Sequence, residues 1–587
     1  MVTSAGTVLL AAPELPSAAA PAVTYTLQVS LNPGARRLDG RGRVRWRNTS
    51  ASSTDELRLS LYYNARADAR ADGAMDITSL RLTVSDRDVL ALSTFADAGN
   101  RPGARGTMLR VPLGESVPPG EEVSFDVGWV ARVPADAAIG GVTLLAHWFP
   151  QVVAAGDHGT YDVTMDVPPG WGVAATGREE TTSGPPARAT HRFVQDNARD
   201  FVWAASGDWT EQRTRVEREG MPSVDVRLLA RPEHAAQLSR MTAAAAVAIR
   251  QGKALLAAYP YADLTVLDLP WGSAYADAAY PGLVTIAARW LAPMRSTELE
   301  SELAAVLAKH YWQQAVGVDG LDRVSMSEGF VVYSAERLGA ALVQHQLDST
   351  IGDGFLVQRL FGGFVPYVNR SVRFNHAAER ASPQGKRVAL ALSTLERYLG
   401  WPTLEMVLDE FATRFRFRQP TLDDFARVAT SVSGRDLRWF FDGVFRDGLA
   451  FDYAVERVTP ENPSAGAAHR TSVVVARRGE GIFSGASRPR TAGYESGRAI
   501  EVEVAFADGS VRREHWDGRD RRTAFVYESA AAAERVDVDP DRVLRLDTAR
   551  TNNSWTRASR ASAAAARWSG IWLIWLEDLL LTYAALV

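Results

Sequence analysis

The composition of the chain is that of a folded protein with several domains. Its 587 residues are 46% hydrophobic and 23% charged, and the formal net charge is -4. This length is several times the usual domain size, and the chain lacks the basic excess needed to bind a phosphate backbone. The absence of cysteine excludes disulfides, thiolate metal sites and cysteine nucleophiles. We therefore expect about three or four domains and no nucleic-acid partner.

The N-terminal third of the chain predicts a short leader followed by a large β domain. Residues 1–22 contain a short apolar stretch and small residues but no basic start. We interpret them as a leader that is disordered or processed, with a signal peptide or a truncated membrane anchor as the alternative. From residue 23 the stretches TYTLQVSL and GRGRVRWRN alternate apolar and polar residues, and turns such as NPG and PPG recur. Residues 23–210 are therefore predicted to form one all-β domain.

Helical periodicity follows and is replaced by alternation again near residue 448. The segments HAAQLSRMTAAAAVAIRQGKALLAAY and TELESELAAVLAKHYWQQAV have apolar residues at helical spacing, so residues 211–447 are predicted to be mainly helical. The stretches TSVVVARR and AIEVEVAF indicate a small β-sandwich over residues 448–548. Residues 549–567 have the composition of a linker. The predicted fold class is a multidomain α+β protein.

Residues 568–587 form a hydrophobic segment long enough to cross a bilayer once. Glu577 and Asp578 lie in its middle, where two acids would be costly at the bilayer centre. Its large apolar residues share one helical face and are Trp568, Trp572, Trp575, Leu576, Leu579 and Tyr583. We therefore predict an amphipathic helix that lies in the membrane interface or docks on a membrane protein partner. A helix packed on the protein's own surface is the alternative.

One helix and the segment after it contain the residues that decide the chemistry. Thr297 and Glu300 have the spacing of a capping box, which predicts a helix from near Glu298. The predicted buried stripe of this helix consists of Leu299, Leu303, Val306 and Leu307. The stretch VSMSEGFVVYSAERLGAALVQH predicts a second helix with Glu328 near its start.

Several segments, taken in order, resemble peptidase family M1, the membrane alanine aminopeptidases, which have a gluzincin fold. The segments are YPYADLTVLDLP, YPGLVTI, SEGFVVY, LERYLGW and FARVATSVSGRDLRWFFDGVFRDGLAFDYAV. The resemblance extends from about residue 24 to about residue 545. It implies a saddle-like N-terminal β domain, a thermolysin-like domain that is mainly helical, and a small C-terminal β-sandwich.

In that family a helix carries His-Glu-x-x-His, and a glutamate 19 residues after the second histidine completes a zinc site. Counting back 19 residues from Glu328 leads to Lys309. The resemblance then places the first histidine at Ala305, the catalytic base at Val306 and the second histidine at Lys309. Only Glu328 is retained. We therefore predict a degenerate zinc site and no bound cofactor, whereas zinc would be the cofactor of an active enzyme.

At two further positions the residue of this chain lacks the functional group that the family uses there. The resemblance places the glutamate that recognises the substrate amine at Ala279, and the tyrosine that stabilises the oxyanion at Gly385. Lys309 follows Ala305 by one helical turn, so its ammonium could replace the missing ion. We predict a structural ion pair between Lys309 and Glu328, because a buried carboxylate without a cation would be costly. Exposure of both side chains to water in an open cleft is the alternative.

His310 is next to Lys309 and would become a ligand only if the register were shifted. One residue rotates a side chain by about 100° around a helix, so His310 points away from the residues that face Glu328. We expect His310 to be packed and hydrogen-bonded. No pair among the nine histidines has ligand-like local spacing.

These losses favour a catalytically inactive pseudo-aminopeptidase that binds a peptide or protein. We expect residues 568–587 to hold it at a membrane, on the extracytoplasmic face. The alternative is an active hydrolase, either a zinc metallopeptidase with a non-standard site or a fold reused with other acids. The acids considered are Asp268, Asp277, Glu328 and Glu336. A weaker alternative is an accessory subunit of a membrane transporter.

Overall fold

The computed structural model shows a strand-rich, multidomain α+β protein. It describes residues 21–66, 72–96, 106–153, 158–183, 189–218, 220–255, 259–287, 298–316, 321–351, 381–461, 468–483 and 500–558, and residues 561, 562, 565, 569 and 576. The predicted leader and the predicted terminal helix, residues 568–587, thus lie almost wholly outside the described residues. Within the described residues, no helix combines the length and apolar character needed to cross a membrane.

Three sheets form the N-terminal part. Its elements are β1 (Val23–Asn32), β2 (Arg37–Arg47), β3 (Thr54–Ser60), α1 (Tyr62–Ala65), β4 (Ala74–Leu82), β5 (Arg87–Asp88), β6 (Thr94–Phe95), β7 (Met108–Val117), β8 (Glu122–Arg132), β9 (Ala138–Ile139), β10 (Val142–Leu145), β11 (Gln151–Val152), β12 (Gly159–Val167), β13 (Gly172–Ala175), β14 (Arg178–Ser183), β15 (Ala189–Ala198) and β16 (Trp203–Ser206). The sheet orders are β14-β15-β12-β1-β2-β8-β4-β5, β13-β16-β10-β9 and β11-β3-β7-β6. Buried and more exposed residues alternate along β1 and β12, as expected for strands with one face on a core.

Aromatic side chains fill the core between these sheets. Trp129 and Trp148 are each at most 1% exposed. The indole N–H of Trp129 donates to the carbonyl of Trp148 at 3.1 Å, and that of Trp148 donates to the carbonyl of Phe201 at 2.9 Å. Burial of these large rings stabilises the N-terminal part, and the two hydrogen bonds satisfy their polar atoms.

The middle part combines a five-stranded sheet with helices. Its elements are β17 (Thr210–Arg218), β18 (Met221–Ala230), α2 (Leu238–Leu255), β19 (Asp263–Asp268), β20 (Ala279–Tyr280), β21 (Leu283–Ile286), α3 (Glu298–Lys309), α4 (Leu321–Ile351), α5 (Pro383–Leu399), α6 (Trp401–Arg414), α7 (Leu422–Ser433) and α8 (Arg438–Phe441). The sheet order is β17-β18-β19-β21-β20, with β18, β19 and β21 parallel. A π-helical turn, His310–Ala315, continues α3.

Helix α3 agrees with its prediction at two points. It begins at Glu298, and its stripe of Leu299, Leu303, Val306 and Leu307 is at most 4% exposed. The carboxylate of Glu300 is held by Arg240 of α2 at 2.6 and 2.7 Å, while the predicted capping residue at position 297 lies outside the described residues. Helix α4 begins at Leu321, three residues before the predicted stretch, and Glu328 lies about two turns from its start.

Two small sheets form the C-terminal part. Its strands are β22 (Tyr453–Glu461), β23 (His469–Arg477), β24 (Ile500–Phe506), β25 (Val511–Trp516), β26 (Arg522–Ser529), β27 (Ala533–Val538) and β28 (Ser554–Thr556), in the orders β22-β23-β26 and β25-β24-β27-β28. Alternate residues of β24, from Ile500 to Phe506, are at most 3% exposed. They belong to the same continuous core as the middle part.

A separate apolar cluster joins the N-terminal part to the five-stranded sheet. It consists of Val142, Leu144, Ala146, Ala174, Val202, Ala204, Leu229, Leu267, Leu269 and Leu283, with Trp209, Tyr275 and Tyr280 packed against it. This cluster positions the loop before β20 beside the N-terminal sheets. The predicted domain limits of 23–210, 211–447, 448–548 and 549–567 stay predictions.

Gly40 provides a test of the N-terminal core. It pairs with Trp129 across β2 and β8, and a Cβ atom there would lie well inside contact distance of the Trp129 indole. We expect Gly40→Ala to lower the free energy of unfolding by about 1–3 kcal/mol, because the buried indole must move. Urea unfolding followed by near-UV circular dichroism measures this. Gly34→Ala is the matched control, since its nearest neighbour would be 3.7 Å away. Equal midpoints for the two variants would contradict the expected clash.

Candidate functional site

The C-terminal end of α3 lies against the segment that contains β20. The ammonium of Lys309 donates to the carbonyl of Asp277 at 2.7 Å, and the amide of Gln314 donates to the carbonyl of Ala279 at 2.8 Å. Asp277 has a left-handed backbone with φ of 54°, which is uncommon for a non-glycine residue. The side chains of Lys309 and Gln314 therefore hold the β20 segment against the end of α3 through hydrogen bonds. The structure thus brings the sequence-predicted positions Lys309 and Ala279 together.

Two other family positions on α3 carry apolar side chains. Ala305 is 3% exposed and Val306 is completely buried. Neither side chain has an atom that can bind a metal or accept a proton. On this stretch of helix, Lys309 therefore supplies the polar group.

Glu328 on α4 lies at the beginning of α5. Its carboxylate accepts from the backbone N–H of Ser382 at 3.0 Å and also from the Ser382 hydroxyl. Ser382 is the N-cap of α5, and its Oγ accepts from the N–H of Gly385 at 3.0 Å. A Cβ atom on Gly385 would be 2.6 Å from Oε2 of Glu328. The position predicted for an oxyanion-stabilising tyrosine thus lies directly against Glu328, which occupies the space that a side chain would need.

The predicted pair of Lys309 and Glu328 stays a prediction. The contacts described above connect Lys309 with Asp277, and Glu328 with Ser382. Each side chain therefore has a hydrogen-bond partner of its own on a different element.

Three carboxyl groups converge beside α3. Glu302 is 7% exposed and accepts from the backbone N–H of Ala287 at 2.7 Å. Burial raises the pKa of Glu302 well above its usual range, and a hydrogen bond to Asp277 and the negative charges of Asp277 and Asp268 raise it further. Glu302 therefore favours its protonated form, in which it can donate to Asp277.

The remaining acids considered from the sequence have other environments. Asp268 is 1% exposed, and its Oδ2 lies 2.5 Å from Nδ1 of the fully buried His234. Glu336 is exposed on α4 and interacts electrostatically with Arg545 of the C-terminal part. Of the four acids, Asp268 and Asp277 thus adjoin the site through Glu302, and Glu328 lies at the start of α5.

His310 is packed and hydrogen-bonded, as predicted. It is fully buried, and its Nε2 accepts from the backbone N–H of Gly282 at 3.1 Å. Its ring stacks on Tyr261 with centroids 5.2 Å apart and meets Tyr259 edge-on at 5.3 Å. Burial lowers the pKa of His310 to about 3. The ring is therefore a neutral structural acceptor.

Sequence reasoning missed three residues of this region. Glu302 precedes Val306 by one turn of α3, so helical spacing alone could have found it. Ser382 precedes Pro383, which is a typical helix start and a second available signal. His234 had no local signal, because its partner Asp268 is far away in the sequence.

The positions that the resemblance assigns to zinc binding carry the following groups. Ala305 and Val306 have no ligand atoms, Lys309 offers a hydrogen-bonded ammonium, and Glu328 is bound to Ser382. Zinc requires several nitrogen, sulfur or oxygen ligands around it. In the described part of the chain, no group of three or more histidine, aspartate or glutamate side chains is placed to hold a metal ion.

The buried state of His310 predicts a pH dependence of stability. Its folded pKa of about 3 lies below the ordinary 6.5, so the unfolded chain takes up a proton first as the pH falls. The contribution of His310 to the free energy of unfolding is fully present above pH 6.5. It decreases by up to about 5 kcal/mol as the pH falls towards 3. His310→Gln should therefore lose less stability over this range than the wild type, as measured by urea unfolding at several pH values. His515→Gln, at an exposed position, is the control and should behave like the wild type. A His310→Gln variant with the full wild-type loss would exclude this role.

Comparison with known proteins identifies the fold. No protein-family model matches the sequence, and no curated protein matches it significantly. Among solved structures, aminopeptidase A of Legionella pneumophila in complex with aspartic acid is similar with a TM-score of 0.60 and 14% identity, over 91% of this chain and 60% of that chain. An M1 zinc metallopeptidase of Deinococcus radiodurans has a TM-score of 0.48 and 16% identity, over 70% of this chain and 91% of that chain.

This similarity confirms the fold that the segment resemblance implied. The chain spans about three fifths of the length of the Legionella aminopeptidase. At 14% identity the match concerns the fold alone. The protein therefore has the fold of that aminopeptidase.

Proposed function

We propose that the protein is a pseudo-aminopeptidase, which keeps the M1 fold, has lost the zinc site, and binds a peptide or protein without cleaving it. The observation that carries this proposal is the helix end formed by Ala305, Val306 and Lys309. There, an ammonium on a backbone carbonyl takes the place of a metal ligand. A cationic side chain repels a metal ion, so this substitution does more than remove one ligand.

The missing base is a second support. Val306 has no proton-accepting atom, and Glu302 favours its protonated form in a buried environment. A general base must take up a proton from water or substrate near the working pH. Asp268 is buried against His234, so it does not reach a substrate either. The absence of a base at these positions favours binding over hydrolysis.

The ion pair between Lys309 and Glu328 belongs to the same proposal. Lys309 compensates the acidic character of a site from which the zinc charge has gone, and Glu328 keeps a structural role through Ser382. A carboxylate that accepts hydrogen bonds at a helix N-terminus is stabilised there by the helix dipole. Glu328 is therefore useful to the fold without a metal.

Membrane association is the third component of the proposal. It rests on the sequence pattern of residues 568–587, which combines a broad apolar face with central acids. The partner is the membrane interface or a membrane protein, on the extracytoplasmic side. An accessory role beside a membrane transporter is the weaker form of this idea.

An active zinc metallopeptidase is the alternative function. Because the described residues supply Glu328 at the expected position, the other ligands would have to come from outside the described part of the chain, where His376 lies. Metal analysis separates this alternative from the proposal.

We expect purified protein from zinc-supplemented medium to contain less than about a tenth of an equivalent of zinc. Elemental analysis of the wild type and of Glu328→Ala measures it. Neither protein should hydrolyse an aminoacyl p-nitroanilide faster than buffer alone does. Nearly one equivalent of zinc in the wild type, lost together with hydrolysis in Glu328→Ala, would overturn the proposal and establish the alternative.

The membrane component is tested with vesicles of mixed neutral and anionic phospholipids. We expect the full chain to sediment with the vesicles, and the double variant Trp572→Glu and Trp575→Glu to bind at least about tenfold more weakly, because two charges enter the apolar face. Val84→Glu, at a position 94% exposed elsewhere in the fold, is the matched control. Equal sedimentation of all three proteins would exclude this helix as the membrane contact.

A further inference from the structure

Five side chains meet where the N-terminal sheets contact the segment of β20. They are Tyr62 on α1, His147 after β10, Gln151 at the start of β11, Asp200 before β16, and Tyr280 on β20. The ring centroids of Tyr62 and His147 lie 4.5 Å apart with an interplanar angle of 46°. Tyr62 is 39% exposed, and so is the side chain of His147. They form an aromatic surface that solvent reaches. Burial chiefly, with the negative charge of Asp200, raises the pKa of Tyr280, so Tyr280 and its neighbour Ala279 adjoin this surface.

Asp200 determines how the amide of Gln151 is oriented. Oδ1 of Asp200 accepts from the backbone N–H of Phe201 at 2.8 Å and from Nε2 of Gln151 at 2.6 Å. Because an ionised carboxylate only accepts, the amide nitrogen of Gln151 faces Asp200 and the amide oxygen faces the other way. That oxygen lies 3.2 Å from Nδ1 of His147.

This orientation assigns the tautomer of His147. An amide oxygen beside Nδ1 requires a donor, so Nδ1 carries a proton, and in the neutral ring Nε2 is then the acceptor. Oδ2 of Asp200 is also 3.2 Å from Nδ1. It lies off the direction of a hydrogen bond, but its negative charge favours the same tautomer.

Nε2 of His147 is held in one orientation and is accessible to solvent. No residue in the described part of the chain makes a hydrogen bond to Nε2 of His147, whereas Nδ1 is engaged. The backbone of His147 is left-handed, with φ of 53°. A non-glycine residue adopts this conformation at a cost in free energy, and such residues concentrate at binding and active sites.

We propose that His147 and Tyr62 bind an aromatic residue of a peptide, whose ring packs on the two aromatic side chains while its backbone N–H donates to Nε2 of His147. Aromatic rings attract one another through their quadrupoles beyond the effect of buried area, so an aromatic residue gains more here than an aliphatic one. A neutral N–H suits a neutral acceptor. This inference rests on the proposed function, because it names the residue class that the peptide-binding protein selects.

Diethyl pyrocarbonate provides a test that needs no variant. It acylates the unprotonated nitrogen of imidazole, and mass spectrometry of the digested protein reports each histidine separately. We expect His147 to react at least about tenfold faster than His234 and His310, which are fully buried. N-acetyl-tyrosinamide should protect His147, and N-acetyl-leucinamide at the same concentration should protect it much less. Equal protection by both probes, or by neither, would overturn the proposal.

Two variants separate the acceptor from the aromatic surface. His147→Phe keeps an aromatic ring at this position but removes the acceptor Nε2. We expect the tyrosine probe to bind about tenfold more weakly in calorimetry. Tyr62→Leu should weaken binding of the tyrosine probe while leaving the reactivity of His147 at or above the wild-type value.

Two outcomes separate a failure of this inference from a failure of the proposed function. Near-UV circular dichroism establishes that each variant is folded. If aromatic and aliphatic peptides bind equally to the wild type and to His147→Phe, the inference fails and peptide binding stands. If a random peptide library yields no ligand at all for the wild type, the proposed function itself fails.

Discussion

A partly buried ammonium needs an acceptor, and the hydrogen bond from Lys309 to the carbonyl of Asp277 meets this need. The bond links the end of α3 to the segment of β20, and Gln314 adds a second link through Ala279. Both links join the end of α3, and the turn that continues it, to backbone carbonyls of this segment. In a zinc peptidase, coordination bonds to the metal would supply such cohesion. Here, side-chain hydrogen bonds to backbone oxygens supply it.

The acids around α3 follow the same physical logic. Buried carboxylates are costly unless they are protonated or paired. Glu302 favours protonation beside Asp277, Asp268 lies against His234, and Glu328 accepts two hydrogen bonds at the start of α5. Each acid thus has its charge removed or compensated within the protein. This arrangement lets the carboxyl groups lie in a buried environment without an uncompensated charge.

Much of the fold could be read from the sequence. Alternation predicted strands such as β1 and β24, and helical spacing predicted α3 with its buried stripe of leucines and valine. The ordered segments implied the M1 fold, which the similarity to a solved aminopeptidase confirms. These features are predictable because periodicity and local order report directly which face of an element is buried. The position of Glu328 within α4 was less accurate, because the residues before it carry a weak helix-start signal.

The sequence by itself determined which chemical groups stand at the positions that the resemblance assigns to the zinc site: two apolar side chains, one lysine and one glutamate. It also determined that Lys309 and His310, as neighbouring residues, point in different directions around the helix. The tertiary structure decided the partners. The approach of His234 to Asp268, of Ser382 to Glu328 and of Gln151 to Asp200 brings together residues from different elements. Such contacts depend on how sheets and helices pack, and no local spacing encodes that packing.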